Sequence, residues 1–328
     1  MPTNLPPEYF EVERRYKAAK TTEEKIALLE ELLSTIPKHK GTDKLRADFR
    51  RRLSKMRAST QTQKGAGRRD SVYHIDREGA GQVAVVGAAN VGKSTLLAAL
   101  TNAMPEVAPY PFATRMPIPG MMPIENIQVQ LIDTPSLRSD YVEPQVMELI
   151  RRTDLILLMV DLQADPIGQL EESIALLEEY RIIPAHHESR TPDPQRLTFL
   201  PLLVLANKND DERTDGDYEA LCELLCEEWP LIPFSALTGR HVDAMKWAVF
   251  EQLDIVRVYS KPPGKEPDFS SPFVLKKGGT VEEFAGEIHQ DFLKNLKWAR
   301  VWGSATHDGQ MVGRDHVLDD GDIVELRA

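Results

Sequence analysis

Apolar runs bounded by turn residues punctuate the middle of the chain. Residues 82–86, 127–132, 154–161, 199–206 and 230–234 read as strands, and the stretches between them carry helical spacing. Alternation of this kind from Gly81 to about Tyr259 predicts an α/β fold. Its sheet is doubly wound and mostly parallel, and its ligands belong at the carboxyl ends of the strands. The first 60 residues read instead as helices: Pro6-Pro7 starts one, Thr21 and Glu24 box the second, and Pro37 ends it. In a third, Leu45, Phe49, Leu53 and Met56 recur on one face while Arg46, Arg50 and Arg57 lie elsewhere on the cylinder. Residues 59–71 hold almost no apolar side chains and read as a mobile linker, and Lys261–Pro267 reads as a second, semi-rigid one. Beyond it, a strand near Phe273–Leu275, a helix from Thr280 boxed by Glu283, and strands near Trp298–Trp302 and Asp322–Leu326 make a mixed α+β module. The predicted division is a helical basic region over 1–70, the α/β domain over 79–262 and the C-terminal module over 268–328.

The loop after the first of these strands, Gly87-Ala88-Ala89-Asn90-Val91-Gly92-Lys93-Ser94, fits G-x-x-x-x-G-K-[ST]. Backbone N–H groups of such a loop wrap phosphates, Lys93 reaches the β/γ-phosphates, and the Ser94 hydroxyl serves Mg²⁺. Ser94-Thr95-Leu96-Leu97 begins a helix, so unpaired N–H groups and a partial positive charge arrive where phosphates must sit. Asp133 closes the run 127–132, which puts a carboxylate at a strand end where Mg²⁺ needs an oxygen partner. Asn207-Lys208-Asn209-Asp210 specifies the base. A carboxylate accepts two hydrogens from guanine but meets an acceptor at adenine N1, so GTP is expected and ATP rejected.

Composition narrows the class further. At 328 residues and 41% hydrophobic content the chain fits two or three domains, and no apolar run approaches the roughly 20 residues of a membrane span. The N-terminus has no basic-then-apolar signal pattern, and Cys222 and Cys226 suit neither a disulfide framework nor a complete metal site. They are expected to be helix packing residues, and the expected location is the cytoplasm. Residues 37–69 hold twelve Lys/Arg against Asp43 and Asp48, an excess of +10 on a chain whose net charge is −11. That arm is a local electrostatic address rather than a bulk property, and the phosphates of a ribosome or structured RNA would suit it.

The order Gly87–Ser94, Thr114, Asp133-Thr134-Pro135, Asn207–Asp210 and Ser235-Ala236 resembles the five G motifs of translation-factor-type GTPases. Tyr110-Pro111-Phe112-Ala113-Thr114 with Ile118-Pro119-Gly120 is similar to the Obg superfamily, and especially to its developmentally regulated GTP-binding protein (DRG) branch. The segments Ala299–Gly303, Val312-Gly313, His316–Leu318 and Asp320–Val324 resemble a TGS domain, a ubiquitin-like β-grasp module. The resemblance implies a P-loop GTPase that hydrolyses GTP to GDP and phosphate as a nucleotide-dependent switch, with the arm and the TGS module touching RNA. It implies that Gly87, Ala88, Ala89, Asn90, Val91, Gly92, Lys93, Ser94 and Thr95 hold the phosphates, with Ser94, Thr114 and Asp133 around Mg²⁺. Asp210 would pair with guanine, Asn207 touch the base edge, Lys208 lie along its plane, and Ser235 and Ala236 offer backbone N–H groups to the guanine oxygen.

Two departures bear on hydrolysis. Ser136 replaces the glycine of the third motif, and Leu137 follows where related proteins place the glutamine that orients the attacking water. Slow turnover is therefore expected, with Lys93, Thr114 and Asn90 as the catalytic candidates. Asn90 resembles the asparagine that holds K⁺ in potassium-activated relatives, which implies a bound cation, while taken by itself it reads as a turn former. The rival reading is a GTP- or GDP-binding interaction protein with negligible hydrolysis. His186-His187 has no metal-ligand spacing and reads as a solvated loop, while Trp298 and Trp302 read as core and edge residues of the C-terminal module.

Overall fold

The computed structural model describes residues 12, 14, 15, 28, 31, 32, 35, 73–103, 116–137, 142–191, 195–226, 228–305 and 307–327. Thr21, Thr114, the basic arm 37–69 and the linker 59–71 lie outside the described residues. The chain divides into a unit over 1–72 and a unit over 73–328. In the first, the described residues are helical, Val12, Leu28 and Leu32 are buried, and Arg15 pairs with Glu31 at 3.2 Å.

The second unit begins with strand β1 (Gln82–Gly87), helix α1 (Lys93–Leu100), β2 (Ile118–Ile124), β3 (Ile127–Asp133), α2 (Pro144–Arg151) and β4 (Leu155–Asp161). Helix α3 (Pro166–Glu179), β5 (Ile182–Pro184), β6 (Thr198–Leu200), β7 (Leu202–Asn207), α4 (Asp215–Leu224), β8 (Leu231–Pro233) and α5 (Val242–Gln252) follow. Six of these strands form one sheet in the order β2-β3-β1-β4-β7-β8, parallel throughout except for β2 against β3. Val83, Val85, Leu157 and Leu205 pack on one face with Leu96 and Leu97 of α1 and Met245 and Val249 of α5. Ala84, Val86, Leu158 and Val204 pack on the other with Met147 and Ile150 of α2 and Leu170 and Leu177 of α3. Both faces are buried, which is why these strands read as unbroken apolar runs.

Two strand assignments change. Strand β2 is added at the sheet edge, where Pro119 and Pro123 are tolerated because an edge strand can spare ladder donors. The single strand expected over 199–206 divides at Pro201, so that β6 pairs with β5 in a separate small sheet and only β7 joins the main one. Cys222 and Cys226 are both exposed rather than packed, the latter beyond the end of α4. Among the described residues no helix is long and apolar enough to cross a membrane.

The C-terminal module contains β9 (Ile255–Ser260), β10 (Phe273–Lys276), α6 (Val281–Ile288), α7 (Gln290–Asn295), β11 (Trp298–Trp302), β12 (Gln310–Val312) and β13 (Ile323–Arg327). Its five strands run in the order β10-β9-β13-β11-β12, with β9 parallel to β13 and the other pairs antiparallel. Phe284 of α6 is fully buried against Val258, Val301 and Val324. The expected capping box is present: Thr280 Oγ1 accepts from Glu283 N at 3.4 Å and Glu283 Oε2 accepts from Thr280 N at 3.3 Å.

The expected break after residue 262 falls inside this sheet, because β9 precedes it and is hydrogen-bonded on one side to β10 and on the other to β13. Where the two sheets meet, Arg257 donates to Asp320 and Glu125 and lies 5.0 Å from the Phe250 ring centroid. Asn126, in the β2–β3 turn, donates to Tyr259 Oη at 2.7 Å.

Candidate nucleotide-binding site

Strand β1 delivers the chain into the loop 87–92 with a backbone that restricts what can occupy it. Gly87 has φ 142°, and a Cβ there would lie 2.4 Å from the Met159 carbonyl oxygen. Gly92 has φ 103°, and its Cβ would lie 2.2 Å from Asn207 Nδ2. Both positions demand glycine on conformation and on space. Asn90 takes φ 63° and is exposed, a left-handed turn conformation that asparagine tolerates better than most residues. The loop ends as Gly92 caps α1 without a side-chain hydrogen bond, and a helix N-terminus of this kind presents N–H groups to an anion.

Lys93 folds back over this loop. Only 6% exposed, it donates through Nζ to Gly87 O at 3.0 Å, Ala88 O at 2.7 Å and Ser136 Oγ at 3.3 Å. Burial lowers its pKa from 10.5 to about 8, with the Asp133 carboxylate opposing the shift. All three ammonium donors are thus used inside the protein, and a phosphate must win them by exchange. Beside it, Ser94 Oγ donates to Asp133 Oδ2 at 2.6 Å, and Asp133 is fully buried at the end of β3. A hydroxyl and a carboxylate at this spacing form a hard-oxygen donor set suited to Mg²⁺, with phosphate oxygens and water completing the shell.

The segment after β3 is tied to the loop. Thr134 Oγ1 donates to Val85 O at 2.8 Å and Leu137 N donates to Gly87 O at 3.1 Å. The Leu137 side chain is 6% exposed and packs among Val142, Val146 and Leu158 in the core.

At the other end, Asn207 is buried and its amide is spent on the protein. Nδ2 donates to Val91 O at 2.6 Å and Oδ1 accepts from Ala236 N at 2.9 Å. Ser235 Oγ donates to Asp210 Oδ1 at 2.5 Å, and Ser235 N donates to Arg240 O at 3.2 Å. The N–H groups expected to face the guanine oxygen are therefore engaged by Asn207 and Arg240. Lys208, at φ 70°, is ion-paired with Asp161, and Gln163 Nε2 donates to its carbonyl at 3.0 Å. Lys93, Ser94, Asp133 and Ser136 are thus gathered at one end and Asn207, Lys208, Asp210, Ser235 and Ala236 at the other, with Val91 between. Thr95 follows in the first turn of α1, Ala89 lies in the loop, and Thr114 is outside the described residues.

Three participants escaped the sequence reading. Asp161 and Gln163 hold Lys208, and the acid closing β4 just as Asp133 closes β3 was the available signal. Arg240 donates to Asn209 Oδ1 at 2.6 Å and to Asp215 Oδ1 and Oδ2 at 2.6 and 2.9 Å. Those hydrogen bonds hold the Asp215 carboxyl down at about 2. Nothing in the spacing of Arg240 announces this bracing role.

Comparison with known proteins agrees with the motif order. Residues 82–188 match the 50S ribosome-binding GTPase family and residues 256–328 match the TGS domain. An uncharacterized GTP-binding protein of Methanocaldococcus jannaschii is 31% identical, the match covering 93% of this chain and 92% of that protein. Developmentally-regulated G-protein 1 of Arabidopsis thaliana is 27% identical over 92% of this chain and 90% of its own length. Ribosome-interacting GTPase 1 of Saccharomyces cerevisiae is 26% identical over 93% of this chain and 99% of its own. A solved GTP binding protein from Pyrococcus horikoshii shares the fold, with a TM-score of 0.51 and 17% identity, over 75% of this chain and 99% of that one.

Proposed function

The chain belongs to the family of GTP-binding proteins that join a GTPase domain to a C-terminal TGS domain, the developmentally regulated G-proteins among them; on that footing we propose that it hydrolyses GTP to GDP and phosphate and acts as a nucleotide-dependent switch docking on the ribosome or another structured RNA. The observation that carries the nucleotide half is the hydrogen-bonded path from the Lys93 loop through Val91 to Asn207 and on to Ala236. It ties phosphate binding to base reading within one buried network.

In this reading Lys93 exchanges its carbonyl partners for phosphate oxygens and neutralises charge there. Ser94, Asp133 and Thr114 would hold Mg²⁺, which would supply charge stabilisation at the phosphates. Asp210 reads the guanine N–H groups, with its carboxylate fixed by Ser235. Leu137 has its side chain in the core, so water positioning falls to other groups, and Asn90 is the candidate for holding K⁺ against the phosphates. That burial also favours the second reading, a binding protein with negligible turnover.

Docking rests on the excess of cations in 37–69 and on the name of the yeast relative. The test is twofold. Single-turnover phosphate release should occur with GTP and fail with Lys93→Ala, and absence of release from the parent would leave the binding-only reading. Co-sedimentation with ribosomes should differ between GDP and a non-hydrolysable GTP analogue, and equal or absent sedimentation in both would refute the switch.

A further inference from the structure

Within the C-terminal sheet the alternation along β11 separates two sets of residues. Ala299 and Val301 are fully buried against α6, while Trp298, Arg300 and Trp302 point to the opposite face. Both tryptophans are half-buried there and lie outside the module's core cluster, in contrast to the core and edge role expected of them. Register brings Arg327 opposite Trp298, Glu325 and Met311 opposite Arg300, and Ile323 opposite Trp302. Towards β9 the same face is closed by the other sheet, through Arg257 and Val274. Towards β11 and β12 Arg300, Met311 and Arg327 are exposed.

The cations on this open half lie over the indole rings, from which an incoming base would displace them toward its phosphates. Arg300 Cζ lies 5.5 Å and Arg327 Cζ 5.8 Å from the Trp298 ring centroid, and Lys261 Nζ lies 5.4 Å from that of Trp302. The one carboxylate among them, Glu325, is 4% exposed beneath Arg327 at 2.7 Å and Lys261 at 3.8 Å. Solvent therefore meets cations, although the chain as a whole carries −11. Arg300 makes no ion pair among the described residues.

We propose that this face, Trp298, Trp302, Arg300, Arg327 and Lys261 on the outer side of the β9-β13-β11-β12 sheet, binds unpaired nucleotides of RNA by stacking bases on the indoles while the cations meet their phosphates. The inference rests on the RNA-docking reading above and names the face of the C-terminal module that would make its contact. Two tryptophans four residues apart on one strand are about 13 Å apart along it, a span that can engage separate bases of an extended strand. Bases within a duplex offer no open face, so the occupant is a loop or single strand. An acidic protein surface would satisfy the arginines but has no need of two flanked indoles.

The test uses the full chain and a fluorescein-labelled single-stranded RNA of about 12 nucleotides, with the matched duplex and an acidic polyglutamate as competitors. Anisotropy should show the single strand bound more tightly than the duplex. Trp298→Ala should weaken it about tenfold and Trp298→Phe should restore most of that loss. Arg300→Glu, at an exposed position, should flatten the slope of log affinity against log salt by roughly 0.7 or more. All three variants should retain parental GTP affinity. Parental RNA affinity in Trp298→Ala and Arg300→Glu, equal duplex binding, or full competition by polyglutamate would overturn the proposal. If those variants also co-sediment with ribosomes like the parent, docking lies elsewhere and only this face is refuted. If the parent binds neither RNA nor ribosomes, the docking reading falls with it.

Discussion

Replacing Asn207 by alanine tests the link between the two ends of the nucleotide site. Asn207 is 3% exposed and satisfies two backbone groups at once, Val91 O at 2.6 Å and Ala236 N at 2.9 Å. Removing its amide leaves a buried acceptor and a buried donor without partners, each costing about 1–3 kcal/mol. Water entering the vacated volume recovers part of this, so the nucleotide-free protein should lose about 2–4 kcal/mol. For a unit of this size that corresponds to a melting temperature lower by about 5–15 °C. Affinity for GTP and GDP should fall together, by about tenfold or more, because the phosphate loop and the base-reading residues lose their common anchor. Asn207→Asp separates the two bonds: it still accepts from Ala236 but sets a carboxylate against the Val91 carbonyl, so it should be at least as damaging. The assays are thermal unfolding without nucleotide and calorimetric titration with each nucleotide. An Asn207→Ala protein that melts within about 1 °C of the parent would refute the reasoning, since no buried pair could then have been broken.

Three further outcomes are expected. Because burial puts Lys93 at about 8 against 10.5 in the unfolded chain, the native state releases this proton first. Stability of the nucleotide-free parent relative to Lys93→Met should therefore rise with pH from about 8 to about 10.5, and urea unfolding showing a falling gap would contradict the buried-charge assignment. Asp210→Asn should shift preference from guanine toward xanthine nucleotides, in which a carbonyl replaces the amine, and an unchanged GTP-to-XTP affinity ratio would remove Asp210 from base reading. Single-turnover hydrolysis should be faster in K⁺ than in Na⁺, with Asn90→Ala erasing the difference; identical parental rates in the two salts would dispose of the ion.

The readable parts of the fold were those where one local rule governs. Leu155–Asp161 is apolar on both faces because both faces are buried, and Thr280 with Glu283 caps its helix by contacts four residues wide. The glycines of the phosphate loop were equally legible, although the reason for Gly92, the approach of Asn207 from 115 positions further along, is visible only in space. Strand β2 escaped because two prolines speak against a strand until its edge position is known. Strand β9 has no counterpart among the expected strands, and the expected domain end at 262 falls just after it, because only hydrogen-bond partners tell which sheet such a segment joins. Arg240 and Asp161 act on residues distant in sequence, and the engagement of the Ala236 N–H by Asn207 is likewise a tertiary event.

The position of β9 also governs how this chain can be taken apart by recombination. The proline-rich stretch 261–267 looks like the natural seam for exchanging the C-terminal module between genes, yet β9 lies upstream of it, between β10 and β13. A crossover there would strand Val256 and Val258, two members of the buried cluster, on the donor and leave the recipient sheet split between β10 and β13. The inheritable unit begins instead at Leu253-Asp254, where Asp254 turns at φ 51° between α5 and β9. Each exchange at that turn carries Arg257 and Asp320 with the module and leaves Glu125 and Phe250 behind, so the recipient must supply the other half of the junction.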